Sequence, residues 1–422
     1  MQADADVLVV GAGPAGATAA RALALGGARV RILERHRFPR NKPCGGGITM
    51  RAVDRFPYLR QALSRIPTHH VSRLLLEGPG GETVTIASRD PVAVLVRRID
   101  FDHLLAELAV EAGAELVEGV TISRTEMHSE GVELGSRDGR SFRAPLVIAA
   151  DGVHSVVARR LGLNPGWPPD AIAIDMMEET PTDLLRSVDP HTAWVSYGHG
   201  SSDGYAYIFP KRDHVNIGIG YLLSYFRERV PEAPYDLQQR LVAALRERGV
   251  VEGVSSRRHF TPFLIPVGGP LPRTARGRVL LAGDAGGFVN GYTAEGIYYA
   301  MVTGDLAARA ILGNGPGASG IPAPAEAGRS RGQDHPAVGR YVAAWRREIG
   351  IELRDSVLIR KYLFRQPARV DGVVRGARSY PWVADMIVRY ATGTMSYRAA
   401  RRRLLAGFPR VALRLVRIGL FG

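Results

Sequence analysis

The sequence predicts a mixed α/β fold, and three observations support this. An apolar run at residues 7–10 precedes glycines spaced G-x-G-x-x-G and a helical stretch, the order typical of a parallel sheet. Residues 60–95 and 165–270 contain stretches of alternating polar and apolar side chains, as antiparallel strands do. Beyond residue 340 the apolar spacing is helical. We therefore expect a Rossmann-type domain, a second domain with an antiparallel sheet, and a helical C-terminal region.

The composition is that of a globular protein. Of its 422 residues 45% are hydrophobic, and Cys44 is the only cysteine, which excludes an internal disulfide and a four-cysteine zinc site. The 11 histidines show no metal-ligand spacing, so we expect no metal site. No apolar run has the length of a membrane span, and the first strand begins too early for a signal peptide. We therefore expect a cytoplasmic protein.

The first 35 residues contain a dinucleotide-binding motif. Gly11 permits a sharp turn, Gly13 lets the backbone approach a pyrophosphate, and Gly16 lets the helix pack closely on the strand. The helix N-terminus offers unpaired N–H groups and the positive end of its dipole to phosphate. Glu34 ends the second strand, where a carboxylate suits a ribose diol. The predicted residues are Gly11, Gly13, Ala15, Gly16, Glu34 and Arg35. The alternative is a glycine-rich turn that binds nothing.

Two later segments favour FAD over NAD. Residues 146–163 are predicted as strand, Asp-Gly turn and helix, and residues 277–311 as strand, Gly-Asp turn, glycine-rich loop and helix. In this order, the three segments resemble the aromatic-hydroxylase-like FAD superfamily. The resemblance implies that Asp284 holds ribityl or pyrophosphate oxygens, and that the loop from Gly291 to Gly296 directs a helix N-terminus toward the flavin ring. Such an N-terminus stabilises the negative charge of reduced flavin.

One arginine is assigned by the same resemblance. The stretch VRRIDFDHLLAELA resembles the superfamily segment that places an arginine, here Arg97, near the cofactor. The alternative for Arg97 is a surface ion pair with Asp102.

The stretch RNKPCGGGIT, residues 40–49, sets the only cysteine against three glycines. With FPRNK before it, KPCGGGI closely resembles the geranylgeranyl reductase family, FAD enzymes that saturate C=C bonds of polyprenyl chains. GYAYIFPKRDHVNIGIG, residues 204–220, resembles the family signature Y-x-W-x-F-P, but Tyr207 stands where tryptophan is usual. The resemblance covers about residues 5–310.

The resemblance implies a substrate site around these two stretches. It assigns Cys44, Tyr205 and Tyr207 as catalytic residues, Cys44 and Gly45 as cofactor contacts, and Gly46, Phe209 and Pro210 as substrate pocket. An isolated alkene accepts hydride only as it is protonated, so the site must exclude water and surround a cationic carbon with aromatic faces. Cys44 is either the acid or a group that steers the alkene. The alternatives are a space-filling buried cysteine and aromatic residues that belong to ordinary sheet core.

The same segments set the expected domain boundaries. The FAD-binding domain is expected at 1–60, 95–165 and 270–312, the substrate domain at 61–94 and 166–269, a flexible insertion at 313–339, and a helical basic region at 340–422.

The charge is concentrated in that last region. From Arg340 onward there are 18 basic and 5 acidic residues, a net charge of +13 out of +14 for the whole chain. Two neighbouring faces of a C-terminal helix are expected to carry Arg410, Arg414 and Arg417, and Val411, Leu415 and Ile418. Such a helix suits peripheral contact with an anionic membrane on its inner, cytoplasmic face. The alternative is a helix docked on the protein. We expect no nucleic-acid partner, because no nucleic-acid-binding fold accompanies the charge.

The sequence therefore predicts an FAD-dependent reductase of a polyprenyl substrate. Its electron donor is NAD(P)H or ferredoxin, since no second G-x-G-x-x-G fingerprint is present. A flavin-dependent monooxygenase or halogenase of the same superfamily shares every FAD motif, but the cysteine–glycine stretch argues against both. A flavin-loaded scaffold without activity is the third alternative.

Overall fold

A computed structural model describes residues 3–199, 204–313, 334–363 and 366–417. Residues 408–417 are described by their backbone alone. Most of the expected insertion and the side chains of the expected amphipathic end lie outside the described residues. The chain forms two compact units. Unit 1 comprises Met1–Lys42, Arg98–Ala173 and Leu264–Leu358, and unit 2 comprises Pro43–Arg97, Ile174–Phe263 and Ile359–Gly422.

The strands of the described residues are β1 Val7–Val10, β2 Val30–Glu34, β3 Gly47–Thr49, β4 Thr68–Val71, β5 Arg73–Glu77, β6 Thr83–Ala87, β7 Ala93–Val96, β8 Glu115–Glu118, β9 Ile122–Met127, β10 Val132–Ser136, β11 Ser141–Ala144, β12 Leu146–Ala149, β13 Ile172–Pro181, β14 Leu185–Ser187, β15 Thr192–Tyr197, β16 Tyr205–Pro210, β17 His214–Leu222, β18 Val251–Gly253, β19 Phe260–Pro266, β20 Ala275–Arg276 and β21 Val279–Leu281. The α-helices are α1 Pro14–Leu25, α2 Met50–Arg55, α3 Tyr58–Ala62, α4 Arg98–Glu111, α5 Val156–Arg160, α6 Leu223–Arg229, α7 Pro234–Glu247, α8 Ile297–Leu312, α9 Pro336–Trp345, α10 Ile351–Leu363, α11 Pro367–Ser379, α12 Pro381–Ala391 and α13 Tyr397–Arg417. None of these helices is long and apolar enough to cross a membrane.

Unit 1 is built on a six-stranded sheet in the order β20-β21-β12-β1-β2-β8. All neighbours are parallel except β20 and β21. Strands β1, β12 and β21 are buried along their whole length, as expected of parallel strands covered on both faces. The predicted Rossmann-type fold is confirmed.

Two glycines let the first helix approach its neighbours closely. A Cβ at Gly16 would overlap the carbonyl oxygen of Gly11, and a Cβ at Gly304 on α8 would overlap that of Ala15 on α1. Helices α1 and α8 therefore meet with backbone against backbone. This contact fixes the start of α1 beside the glycine motif.

Unit 2 is built on a seven-stranded sheet in the order β19-β13-β17-β16-β15-β5-β6. The pairs of β16 with β15 and β17 are antiparallel, and β15 and β5 are parallel. One face carries the core that α7 covers, including Ile208, Ile217 and Leu241. Because side chains alternate along a strand, Tyr205, Tyr207 and Phe209 lie on the opposite face.

The division into units differs from the expected boundaries at several places. Residues 43–60 belong to unit 2, because β3 pairs with β7 and β7 with β4. Residues 340–358 belong to unit 1, where the Tyr341 hydroxyl donates to the carbonyl oxygen of Leu281 at 2.6 Å. Residues 95–97 belong to unit 2, and residues 166–173 and 264–269 belong to unit 1. The helix α9 begins at Pro336, which was expected to lie in the flexible insertion.

We predict that Gly304→Ala lowers the free energy of unfolding by about 1–3 kcal/mol, because the added Cβ overpacks the contact of α1 with α8. Gly339→Ala in α9 is the matched control, since a Cβ there would meet no atom within 4 Å. The control should gain up to about 1 kcal/mol from helix propensity. Urea unfolding measures the free energy of unfolding of both variants. Equal changes in that free energy would contradict the close backbone contact at Gly304.

Candidate functional site

The glycine motif of unit 1 leaves an opening at the N-terminus of α1. Gly11 has φ 93°, and a Cβ there would lie 2.5 Å from the carbonyl oxygen of Ala150. Gly13 caps the helix, and a Cβ there would have only Arg40 Nη2, at 3.9 Å, within 4 Å. The first N–H groups of a helix have no partner inside it. A pyrophosphate fits this cradle, which a side chain at Gly13 would fill.

Glu34 is tied to the same motif. It is buried, its Oε2 accepts the N–H of Ala12 at 2.8 Å, and its Oε1 accepts the N–H of His36 at 3.0 Å. Oε2 also accepts from Arg40 Nη2 at 3.4 Å, so Oε1 is the oxygen with a lone pair left, to which a ribose hydroxyl can donate.

A buried ion cluster supports this end of unit 1. The carboxylate of Asp102 accepts from Arg98 Nε at 2.6 Å and from Arg40 Nη1 at 2.7 Å. Burial alone would raise the pKa of Asp102, but the two guanidinium groups outweigh it and hold that pKa below its usual value. The ion pair that the sequence analysis considered for Arg97 is wrong, because Asp102 pairs with Arg98 and Arg40 instead.

Two aspartates lie just beyond parallel strands of unit 1. Asp151 follows β12; its Oδ2 accepts the N–H of Val156 at 2.8 Å, and its Oδ1 is buried without a hydrogen-bond partner among the described residues. Burial raises the pKa of Asp151. Asp284 follows β21, with its Oδ2 4.0 Å from Lys42 Nζ. Ligands of α/β sheets bind at this carboxyl edge, so both aspartates can meet cofactor hydroxyls.

The loop before α8 is held in one conformation. The Asn290 side chain accepts two backbone N–H groups of the loop at 3.0 Å each. Gly291 donates its N–H to Ser356 Oγ at 2.9 Å, and Gly296 caps the helix. Ala294 has φ 57°, a left-handed conformation that side chains other than glycine rarely adopt. This backbone fixes the direction of the α8 N-terminus.

The other predicted cofactor residues are placed differently. Ala15 is buried in α1, and Arg35 is exposed beyond the end of β2. Arg97 lies in unit 2, with its Nε 3.8 Å from Glu179 Oε2. Their contact with a cofactor stays a prediction.

In unit 2, residues 44–47 form the Cys44 turn. Its three glycines differ in how closely their backbone approaches other atoms. A Cβ at Gly45 would lie 2.7 Å from Phe209 Cδ2, so the aromatic ring rests on the backbone. Gly46 has φ 71°, and a Cβ there would overlap the carbonyl oxygen of Val96. Gly47 starts β3 with only ordinary contacts. The first two glycines are required, while the third is not.

The turn holds the sulfur of Cys44 in a defined place. Its Sγ accepts the N–H of Gly46 at 3.4 Å, and its carbonyl oxygen accepts from Asn216 Nδ2 at 3.4 Å. Cys44 is half-buried, while Asn216 on β17 is fully buried. A backbone N–H pointing at sulfur stabilises a thiolate.

Four aromatic rings, Tyr197, Tyr205, Tyr207 and Phe209, form the aromatic ladder. Their successive ring centroids are 5.7, 5.4 and 4.8 Å apart. On the neighbouring strand, a Cβ at Gly218 would lie 2.5 Å from the Tyr207 ring, so the ring lies over that glycine. The structure thus places the three predicted aromatic residues in one row.

Tyr207 is joined to a carboxylate that the sequence analysis missed. It is 2% exposed, and its hydroxyl donates to Asp175 Oδ2 at 3.1 Å. Burial first, and then the charge of Asp175, raise the pKa of Tyr207 well above its usual value. No sequence pattern indicated Asp175, which lies 32 residues upstream. Pro210, assigned to the pocket, lies on the opposite face from Phe209, because alternate strand residues face opposite ways.

A second missed group lies beneath the turn. The ammonium group of Lys211 pairs with the carboxylate of Glu179, and the two side chains are 1% and 10% exposed. Lys211 Nζ lies 2.9 Å from the position a Cβ would take at Gly46. In the sequence, the position of Lys211 directly after Pro210 of the signature could have indicated this group.

The ladder continues into an apolar cluster. Phe209, Leu74 and Val388 of α12 all pack against a buried cluster that includes Leu95 and Ala193. Together with the Cys44 turn, this face of unit 2 offers hydrocarbon and aromatic surface beside one thiol. Such a surface can hold an apolar chain. Within the described residues, no group of three or more His, Cys, Asp or Glu is arranged for a metal ion.

Comparison with known proteins agrees with this geometry. The family described as FAD binding domain matches residues 4–304. A digeranylgeranylglycerophospholipid reductase of Methanothermobacter thermautotrophicus is 32% identical over 85% of this chain and 87% of its own length. A chloroplastic geranylgeranyl diphosphate reductase of Oryza sativa is 30% identical over 72% of this chain, which spans 66% of that relative.

The fold is also found among solved structures. The crystal structure of a geranylgeranyl bacteriochlorophyll reductase-like protein from Thermoplasma acidophilum superposes with a TM-score of 0.75, at 21% identity, covering 97% of this chain and 98% of the other. The family match and the relative matched over most of its length settle the assignment: the chain is an FAD-binding flavoprotein and belongs to the geranylgeranyl reductase family.

Proposed function

We propose that the protein saturates C=C bonds of a polyprenyl chain, such as geranylgeranyl diphosphate or a geranylgeranyl lipid. The observation that carries the proposal is the Cys44 turn, which seats its thiol beside an aromatic and apolar face. The names of the two relatives, both reductases of geranylgeranyl compounds, support it.

The cofactor would be held by residues of unit 1. The N-terminus of α1 at Gly13 would take the pyrophosphate, Glu34 a ribose diol, and Asp284 ribityl or pyrophosphate oxygens. Bound FAD, once reduced, supplies a hydride from N5 for one alkene carbon. Two electron donors are compatible with the sequence, NAD(P)H and ferredoxin.

The residues of unit 2 would stabilise the charge that develops on the alkene. As the second carbon takes a proton, positive charge grows on the carbon that receives hydride. Rings of the aromatic ladder present their negative faces to such a charge. The apolar cluster around Phe209 excludes water, which would otherwise capture the cation.

Cys44 would supply the proton. Its S–H bond breaks as a C–H bond forms, and the Gly46 N–H stabilises the thiolate that remains until solvent reprotonates it. Tyr207 is a poorer acid, because its pKa is raised.

The central experiment is an anaerobic incubation of dithionite-reduced protein with geranylgeranyl diphosphate, followed by mass spectrometry. We expect a gain of about two mass units per saturated bond. If the diphosphate is unchanged, the incubation is repeated with geranylgeranyl lipid and prenylated quinone, and then in air. Oxygenated product, with no saturation in any anaerobic sample, would establish the monooxygenase alternative instead.

We predict that Gly13→Val folds but retains FAD at least about 100-fold more weakly, since the side chain occupies the phosphate cradle at the N-terminus of α1. The ratio of flavin to protein absorbance after purification measures this. Gly339→Val, on an open helix surface, is the control and should keep its flavin. Full occupancy in Gly13→Val would place the pyrophosphate elsewhere.

We predict that Cys44→Ala keeps FAD but saturates the prenyl chain about 100-fold more slowly, as loss of a general acid does. Cys44→Ser should be similarly slow, because a hydroxyl is a far weaker acid than a thiol. Unchanged rate and product pattern in both variants would remove the role given to Cys44.

Membrane contact is proposed on the described part of the basic C-terminal region. On α13, Leu404 and Leu405 are 45% and 58% exposed directly after Arg401, Arg402 and Arg403. Exposed leucines beside arginines suit the surface of an anionic bilayer.

We therefore predict that the protein cosediments with vesicles containing phosphatidylglycerol but not with purely zwitterionic vesicles. Leu405→Glu should weaken binding at least about tenfold, because a buried leucine contributes about 1.5–3 kcal/mol. Leu25→Glu is the control, since Leu25 is 62% exposed in unit 1 and far from the basic region in sequence. Equal loss in both variants would argue against α13 as the contact.

A further inference from the structure

The substrate face of unit 2 contains a buried carboxylate that the proposed reaction has not used. Asp175 is 6% exposed on β13, and β17 lies between this strand and β16. Its Oδ2 accepts the hydroxyl hydrogen of Tyr207 at 3.1 Å. A carboxylate is costly to bury in such surroundings, so its position calls for a function.

One glycine on the intervening strand makes this contact possible. A Cβ at Gly218 would lie 2.5 Å from the Tyr207 ring and hydroxyl oxygen. The phenol can therefore cross β17 to reach the carboxylate.

The link changes the electrostatics of the aromatic ladder. A phenol that donates to a carboxylate gains electron density in its ring, and this strengthens the attraction between the ring face and a cation. The rings of Tyr205 and Phe209 flank that of Tyr207, at 5.4 and 4.8 Å. Little solvent screens the carboxylate, because both partners are buried.

We propose that Asp175 is a positioning residue that acts through the buried Tyr207: it holds the phenol across β17, and the pair places negative charge beneath the partly exposed rings of Tyr205 and Phe209, which face the substrate. The charge it stabilises is the one that develops on the alkene carbon, so the inference rests on the proposed function. The alternative, a purely structural hydrogen bond, would affect stability without any preference for positive charge.

The test uses two unreactive prenyl analogues of equal shape. One carries a protonated tertiary amine in place of an alkene carbon, and the other carries a neutral carbon there. Affinities are measured by calorimetry on the holoenzyme, for the wild type, Asp175→Asn, Tyr207→Phe and the double variant. Asp213→Asn, an exposed carboxylate of the same unit, is the control.

We expect the wild type and the control to prefer the cationic analogue. Asp175→Asn and Tyr207→Phe should each lose about tenfold or more of that preference, while binding of the neutral analogue changes by less than about twofold. The double variant should lose no more than either single variant, because both changes break one link. In turnover, kcat should fall about tenfold with little change in KM.

Three results would overturn the inference. The first is a wild type with no preference for the cationic analogue. The second is independent, multiplicative losses in the double variant, and the third is weaker binding of both analogues alike. A preference that depends on Asp175 but is accompanied by no saturation of any prenyl substrate would instead refute the proposed function and leave the cation site standing.

Discussion

The aromatic ring of Phe209 rests on the backbone of Gly45, where even a methyl group would lie 2.7 Å from the ring. This contact fixes the Cys44 turn against β16, and the positions of the thiol and of the aromatic ladder follow from it. Gly46 adds a second constraint, because its left-handed backbone brings it against Val96. A side chain at either glycine would push the cysteine away from the aromatic ladder.

Unit 1 depends on the same physical device. Gly16 and Gly304 bring α1 against its strand and against α8, and Gly13 leaves room at the start of the helix. The absence of a side chain at these glycines thus shapes both the opening at the start of α1 and the turn that carries the cysteine. Glycine costs conformational entropy on folding, and here close backbone packing offsets that cost.

Local patterns in the sequence were enough to predict much of this. The glycine motif, the Asp-Gly and Gly-Asp turns and the alternating aromatic residues all report on neighbours within about 20 residues, which short-range geometry determines. The Rossmann-type sheet, the second sheet and FAD binding were confirmed on that basis. The membership of residues 43–60 in unit 2 was not predictable locally, because it depends on pairing of β3 with β7 across some 45 residues of chain.

The missed groups share one property, which is that each needs a partner distant in sequence. Asp175 gains its significance through Tyr207, 32 residues away, and Lys211 through Glu179, also 32 residues away. No local periodicity indicates such pairs, since they form only after the sheets are assembled. Pro210 was assigned to the pocket with the rest of its signature, whereas strand alternation divides the signature between two faces; its contact with substrate stays a prediction.

The most direct measurement of the central claim is a single-turnover experiment without oxygen. Protein with fully reduced flavin is mixed with its prenyl substrate, and the flavin absorbance is followed while saturated product is quantified. Our account predicts that the oxidised-flavin spectrum returns at the rate of product formation, with one flavin oxidised per bond saturated. A flavin that stays reduced with every prenyl substrate until oxygen is admitted would contradict it.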